Sequence, residues 1–268
     1  FLRFLTTEVR PRVDAGWRTA PFAVLAGHSL GGLFAVHVAS TSPSAFGAYL
    51  AISPSLDRAD SAALHSARTA LDCDGALPRS LYLAVAEAER PGITDATGKL
   101  ATALADARPA AMRWTSTTVA EENHLTVPPI ALREAVRWLF ADYPIPLDRT
   151  VDRMVEAGSL APFDAHYEGL GRAFGYAAQP PELAVSLVGD RLYRREAWDL
   201  AIALFAKRVA LYPDSPEGHD ELARTYLAAG RRAEALASFE RAVALARASG
   251  HPGLGAIEGR LERARRSP

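Results

Sequence analysis

Three continuous apolar runs and one alternating run organise the first half of the chain. "PFAVLAG" (21–27), "GAYLAIS" (47–53) and "SLYLAVA" (80–86) have strand length and are rich in aliphatic and aromatic residues. Such runs suit strands covered on both faces. "MRWTSTTV" (112–119) alternates polar and apolar residues, as a half-covered strand does. Helical spacing follows the first run in Leu33, Phe34, Val36 and Ala39, and follows the fourth in "ALREAVRWLF" (131–140). Strands alternating with helices predict an α/β domain with four strands, at about 22–27, 47–53, 80–86 and 112–119.

Both ends of the chain break this pattern. The opening "FLRFLTTEVRPRVDAGW" places Phe1, Phe4, Leu5 and Val9 on one helical face, with neither an initiator methionine nor a signal peptide. It reads as a helix entering mid-domain, so the chain is expected to be a fragment whose upstream strands are missing. With those strands would go a neighbour for the first strand and any targeting signal, and no localisation is read.

After "DYPIPLDRT" (142–150) the composition shifts to Ala, Arg, Leu and Glu, which favour helix. A 34-residue period pairs Gly189 with Ala223, Leu192 with Tyr226, Ala201 with Ala235 and Phe205 with Phe239. That is tetratricopeptide spacing, with small residues where paired helices cross. The predicted division is a partial α/β domain over 1–145, a linker with capping helices over 146–181, and all-α repeats over 182–268. Two repeats bury too little alone, so the segments 163–176 and 253–266 are expected to cap them. A generic helical bundle is the plainer alternative. The tail could brace the first domain, self-associate or bind a protein partner.

Composition narrows the partners. A net charge of −1 over 268 residues gives no electrostatic case for nucleic acid or a membrane surface. No apolar run is long enough to span a bilayer. The single cysteine, Cys73, has no internal partner and is expected to be inert. No histidine pair has zinc-ligand spacing, and neither metal nor cofactor is expected.

The chemistry concentrates at "GHSLGG" (27–32), which lies between the first strand and its helix. Strand, G-x-S-x-G, helix is the setting of a nucleophile elbow. Ser29 sits on a sharp turn where Gly27 and Gly31 avoid clashes, and Gly32 lets the helix pack closely. The Leu30 backbone N–H, at the helix start, can face a developing oxyanion. A nucleophilic serine needs a base, and His124 follows the fourth strand, where the chain order Ser, acid, His puts it. Glu89, just past the third strand, is the leading acid. Asp95 on the same loop and Glu87 are the alternatives, and a Ser–His dyad stays open. Glu121 and Glu122 read as a solvated turn. His28 reads as packing or pocket-shaping and His37 as a helix residue, while His65, His166, His219 and His251 read as surface residues.

These residues resemble the putative-esterase family of α/β-hydrolases, which includes enterochelin and other siderophore esterases and S-formylglutathione hydrolases. The matching segments are "VLAGHSLGGLFAVHVASTSPSAFGAYLAISPS" (24–55), "LYLAVAEAE" (81–89) and the His124 segment through 140. The resemblance covers roughly the first 140 residues and is nearest to siderophore-type esterases with a C-terminal repeat tail. It implies a serine hydrolase with Ser29 as nucleophile and His124 as base, acting on small-molecule esters without a cofactor. The sequence departs from relatives in "LDRAD" after "SPS", in Ala86 and in Leu125. The expected function is carboxylic ester hydrolysis through an acyl-enzyme. The alternatives are a non-catalytic interaction protein built on a degenerate hydrolase domain, and an acyltransferase on the same fold.

Overall fold

The structure, a computed structural model, describes residues 1–58, 61–72, 80–110 and 112–266; Cys73 lies outside the described residues. They form two compact units, Phe1–Tyr143 with Arg172–Tyr176, and Pro144–Gly171 with Ala177–Pro268.

The first unit holds a parallel sheet of order β1-β2-β3-β4, made of β1 (Val24–His28), β2 (Ala48–Ile52), β3 (Ser80–Ala88) and β4 (Arg113–Asn123). Each strand is followed by a helix: α3 (Leu30–Thr41), α4 (Ala62–Asp72), α5 (Pro91–Ala107) and α6 (Val127–Leu139). Alternation along the strands divides the core. Tyr49, Ala51, Leu81 and Leu83 pack with α3, α4 and α5. Leu50, Ile52, Tyr82, Ala84 and Ala86 pack with Val127, Ala131 and Ala135 of α6 on the other face. Two covered faces explain why β2 and β3 read as unbroken apolar runs. Among the described residues β1 pairs with β2 alone, so the strand leading to Ser29 is an edge strand.

The third and fourth strands run further than their hydrophobic patterns indicate. The pairing of β3 with β4 shifts register between Ala86 and Ala88. Glu121 adopts φ 61°, and its backbone N–H donates to Glu87 Oε2 at 2.8 Å. Glu121 and Glu122 are therefore strand residues rather than a turn, because the neighbouring strand's carboxylate satisfies the displaced amide.

At the start of the chain, α1 (Leu2–Phe4), a π-helical segment (Leu5–Val9) and α2 (Arg10–Gly16) form consecutive helical stretches. Leu2 packs on the core and the Phe1 ring lies 5.2 Å from Phe34. Phe1 and Phe4 nonetheless remain 77% and 47% exposed, so the expected apolar face is only partly covered.

In the second unit the elements are α7 (Leu147–Ala157), α8 (Ala161–Phe174, whose last residues belong to the first unit), α9 (Glu182–Arg194), α10 (Trp198–Leu211), α11 (Pro216–Ala228), α12 (Arg232–Ser249) and α13 (Leu254–Arg266). The starts of α9 and α11, and of α10 and α12, are displaced by the same 34 residues. A Cβ on Gly189 would lie 2.5 Å from the Phe205 ring, so α9 and α10 approach as closely as glycine permits. Ala201 and Ala235 are both fully buried. Arg208 is buried between the carboxylates of Glu182, at 2.8 Å, and Glu221. Among the described residues no helix is long and apolar enough to cross a membrane.

Candidate active site

Every strand of the sheet delivers a polar group at its C-terminal end, the edge where parallel α/β sheets place their ligands. β1 ends at His28 and passes directly into Ser29, and β2 is followed by Ser53, Pro54 and Ser55. β3 is followed by Glu89, and β4 by His124.

Ser29 is strained, with φ 57° and ψ −115°, at the N-terminus of α3. Its amide donates to the Ile52 carbonyl at 3.0 Å, which ties the turn to β2. Gly27 is required there because a Cβ would fall 2.0 Å from the Gly31 carbonyl oxygen. Gly32 lies against Ile52 and Pro54, each 3.0 Å from where its Cβ would be, so it brings α3 up to the end of β2. Gly31 meets nothing within 4 Å, which removes the steric role expected for it. Leu30 is the first residue of α3, where backbone N–H groups lack helical partners, and its side chain is 65% exposed.

The side chains of Ser29, His124 and Glu89 form a hydrogen-bonded row. Ser29 Oγ lies 3.1 Å from His124 Nε2, and His124 Nδ1 lies 2.8 Å from Glu89 Oε2. With a carboxylate on Nδ1, that nitrogen carries the proton and Nε2 offers its lone pair to the serine hydroxyl. The Glu89 side chain is wholly buried, whereas His124 keeps 27% of its side-chain surface. Burial pushes the Glu89 carboxyl up. Hydrogen bonds from His124, the Arg90 amide and the Ser53 hydroxyl outweigh this together and hold it below its ordinary value.

The other candidates lie elsewhere or do other work. Asp95 is exposed on α5 rather than on a loop. Glu87 receives the Glu121 amide. The His28 ring lies 4.6 Å from that of His124, and its Nε2 is buried with no partner among the described residues. Burial first, and His124 second, lower the His28 pKa. His37 and His65 are exposed, and His166 is half-buried beside the Tyr167 ring. His219 and His251 are likewise half-buried instead of simple surface residues. His219 Nε2 meets the Pro213 carbonyl at 3.3 Å, and His251 Nδ1 accepts from the Gly253 amide at 3.1 Å. Among the described residues no cluster of three or more His, Cys, Asp or Glu could hold a metal ion.

In the sequence the two serines of "SPS" stand only in a segment that resembles the family, yet both lie beside the row. Ser55 Oγ lies 3.2 Å from Ser29 Oγ, and Ser53 is fully buried beside Glu89. The available signal was two hydroxyls around a proline directly after a buried parallel strand.

Residues 1–126 match the family described as "Putative esterase". A siderophore enterobactin esterase of Emericella nidulans is 55% identical over 53 residues, which are 20% of this chain and 16% of that protein. A siderophore triacetylfusarinine C esterase of Aspergillus fumigatus is 41% identical over 70 residues, 25% of this chain and 24% of that protein. The chain thus spans a quarter or less of these relatives' lengths. Among solved structures, an IroE-like serine hydrolase from Shewanella oneidensis superposes with TM-score 0.62 at 24% identity, over 79% of this chain and 66% of its own. The chain therefore has an α/β-hydrolase-like fold with a four-stranded parallel sheet, and its first 126 residues are similar to the esterase family.

Proposed function

We propose that the protein is a serine carboxylic ester hydrolase of siderophore-esterase type, working through an acyl-enzyme. The observation that carries this reading is the row Ser29–His124–Glu89, with spacings of 3.1 and 2.8 Å on the strained turn after β1. His124 Nε2 takes the proton as Ser29 Oγ attacks the ester carbonyl, and the tetrahedral oxygen lies toward the Leu30 N–H. Collapse expels the alcohol, which leaves with the proton from His124. Water, activated by the same nitrogen, then releases the acid and restores Ser29. Glu89 fixes the imidazole tautomer and stabilises the transient imidazolium. The family match and the two siderophore esterase alignments support ester hydrolysis, and the substrates in those relatives' names suggest siderophore esters as the class to test.

The second unit is, in the same proposal, a short tetratricopeptide-like array, with α9/α10 and α11/α12 as repeats and α8 and α13 as caps. The shared 34-residue displacement and the buried Ala201 and Ala235 support this. Its role would be bracing or self-association, or holding a protein partner.

The test is hydrolysis of p-nitrophenyl acetate, enterobactin and triacetylfusarinine C, with covalent labelling by a fluorophosphonate. Labelling of Ser29 by mass spectrometry, with product acid released from an ester, is the expected result. Labelling without hydrolysis, but with acyl transfer to an added alcohol, would favour the acyltransferase. Neither labelling nor turnover would leave the interaction-protein reading.

A further inference from the structure

The turn after β2 is bound to the rest of the site more tightly than a connection needs. Its backbone is pinned on both sides: Ser53 N–H donates to the Ala84 carbonyl at 2.7 Å, and Ser55 N–H to the Ser29 carbonyl at 3.1 Å. Ser53 holds φ at 39°, a left-handed value that a non-glycine residue keeps only when its surroundings impose it. Pro54 packs under Gly32 at the start of α3. The two serines are 0% and 3% exposed, so both hydroxyls are removed from water and need partners inside the protein.

Those partners are the two ends of the row. Ser55 Oγ meets Ser29 Oγ at 3.2 Å. Ser29 has one proton, and a reactive arrangement sends it to His124 Nε2, so the proton between the two serine oxygens must come from Ser55. At the other end, Ser53 Oγ accepts from the Ala86 amide at 3.4 Å, and its hydroxyl is among the groups that hold the Glu89 carboxyl below its ordinary value. The Arg90 amide donates to the second oxygen of that carboxylate, Oε1, at 2.9 Å.

We infer that the Ser53–Pro54–Ser55 turn is part of the reaction machinery: Ser55 donates a hydrogen bond to the nucleophilic oxygen of Ser29, and Ser53 positions the Glu89 carboxylate. The inference rests on the serine-hydrolase reading. As His124 removes the Ser29 proton, charge gathers on Oγ and the Ser55 hydrogen bond strengthens. When the acyl–oxygen bond breaks in deacylation, the same donor meets the departing Ser29 oxygen until His124 returns the proton. Ser55 itself gains and loses no proton. Ser53 acts one step back, by keeping the carboxylate ionised and aimed at Nδ1.

The experiment is a set of steady-state measurements on the full chain with a p-nitrophenyl ester, each variant checked by circular dichroism and thermal melting. Ser55→Ala should lower kcat roughly ten- to a hundredfold with KM nearly unchanged, since the bond strengthens only as charge develops. Ser55→Cys, close in volume and a weak donor, should fall between, and substitutes where the alanine variant does not fold. Ser53→Ala should also lower kcat, and the loss should vanish in a Glu89→Gln background, since both act on one carboxylate. Wild-type kcat in a folded Ser55→Ala variant overturns the Ser55 assignment. Multiplying losses for Ser53→Ala and Glu89→Gln overturn the Ser53 assignment. A wild-type chain no more active than Ser29→Ala overturns the hydrolase reading and this inference with it, a result distinct from either.

Discussion

His124 and Glu89 are 35 residues apart in sequence, yet Nδ1 and Oε2 meet at 2.8 Å with the carboxylate entirely buried. The contact exists because β3 and β4 are adjacent parallel strands that end at the same edge of the sheet. A buried carboxylate facing an imidazole can orient the ring and support its positive charge, but cannot itself attack. Glu89→Gln should therefore lower kcat by about four orders of magnitude, as loss of an orienting acid does in serine triads. Asp95→Asn, on the exposed face of α5, should leave kcat unchanged. Steady-state kinetics of the two variants decides, and the reverse pattern would transfer the acid role to Asp95.

Ser29 and His124 should behave as one unit. Ser29→Ala is expected to cost on the order of a millionfold in kcat, and adding His124→Ala should cost little more. The double variant is the informative one. Losses that multiply would mean the two side chains act in separate steps.

The titration directions give a pH dependence of stability. Glu89 is held below its ordinary value, so its contribution is present above pH 4.5 and is lost as pH falls through the lowered native value. His28 is also lowered, by burial and then by His124, so the fold favours its neutral ring. Stability of the first unit should be full above pH 6.5 and decline as pH falls from there through the native value. Melting curves from pH 8 to about 3 should show both declines. Glu89→Gln should flatten the lower one and His28→Gln the upper. Curves indifferent to both substitutions would contradict the assigned directions.

Two glycines in helices should respond in opposite ways to alanine. At Gly98, within α5, an added Cβ would meet nothing within 4 Å, so Gly98→Ala should stabilise the first unit by up to about 1 kcal/mol. At Gly189 the same methyl would lie 2.5 Å from Phe205, a ring only 2% exposed and with little room to move. There overpacking, typically about 1–3 kcal/mol, should exceed the gain in helix propensity of about 1 kcal/mol, and stability should fall. Urea unfolding followed in each unit would show it. A stabilised Gly189→Ala variant would mean that α9 and α10 pack less closely than described.

Local features were legible in the chain alone: strands where apolar runs have strand length, a sharp turn where glycines flank Ser29, and helices with a 34-residue displacement after residue 181. These depend on side chains within a few residues of one another, so a linear pattern records them. It also carried Ser29, His124 and Glu89 as candidates, since in a parallel sheet the residue just past each strand faces the same edge. Which carboxylate meets the imidazole depended on tertiary structure: Glu87, within β3, receives the Glu121 amide, Asp95 is exposed on α5, and Glu89 stands opposite His124. Tertiary structure also turned "EEN" into strand, because Glu87 on the neighbouring strand accepts the Glu121 amide. The same holds for Ser53 and Ser55. A serine in a turn is an ordinary residue until strand pairing buries its hydroxyl and leaves Glu89 or Ser29 as the group within reach.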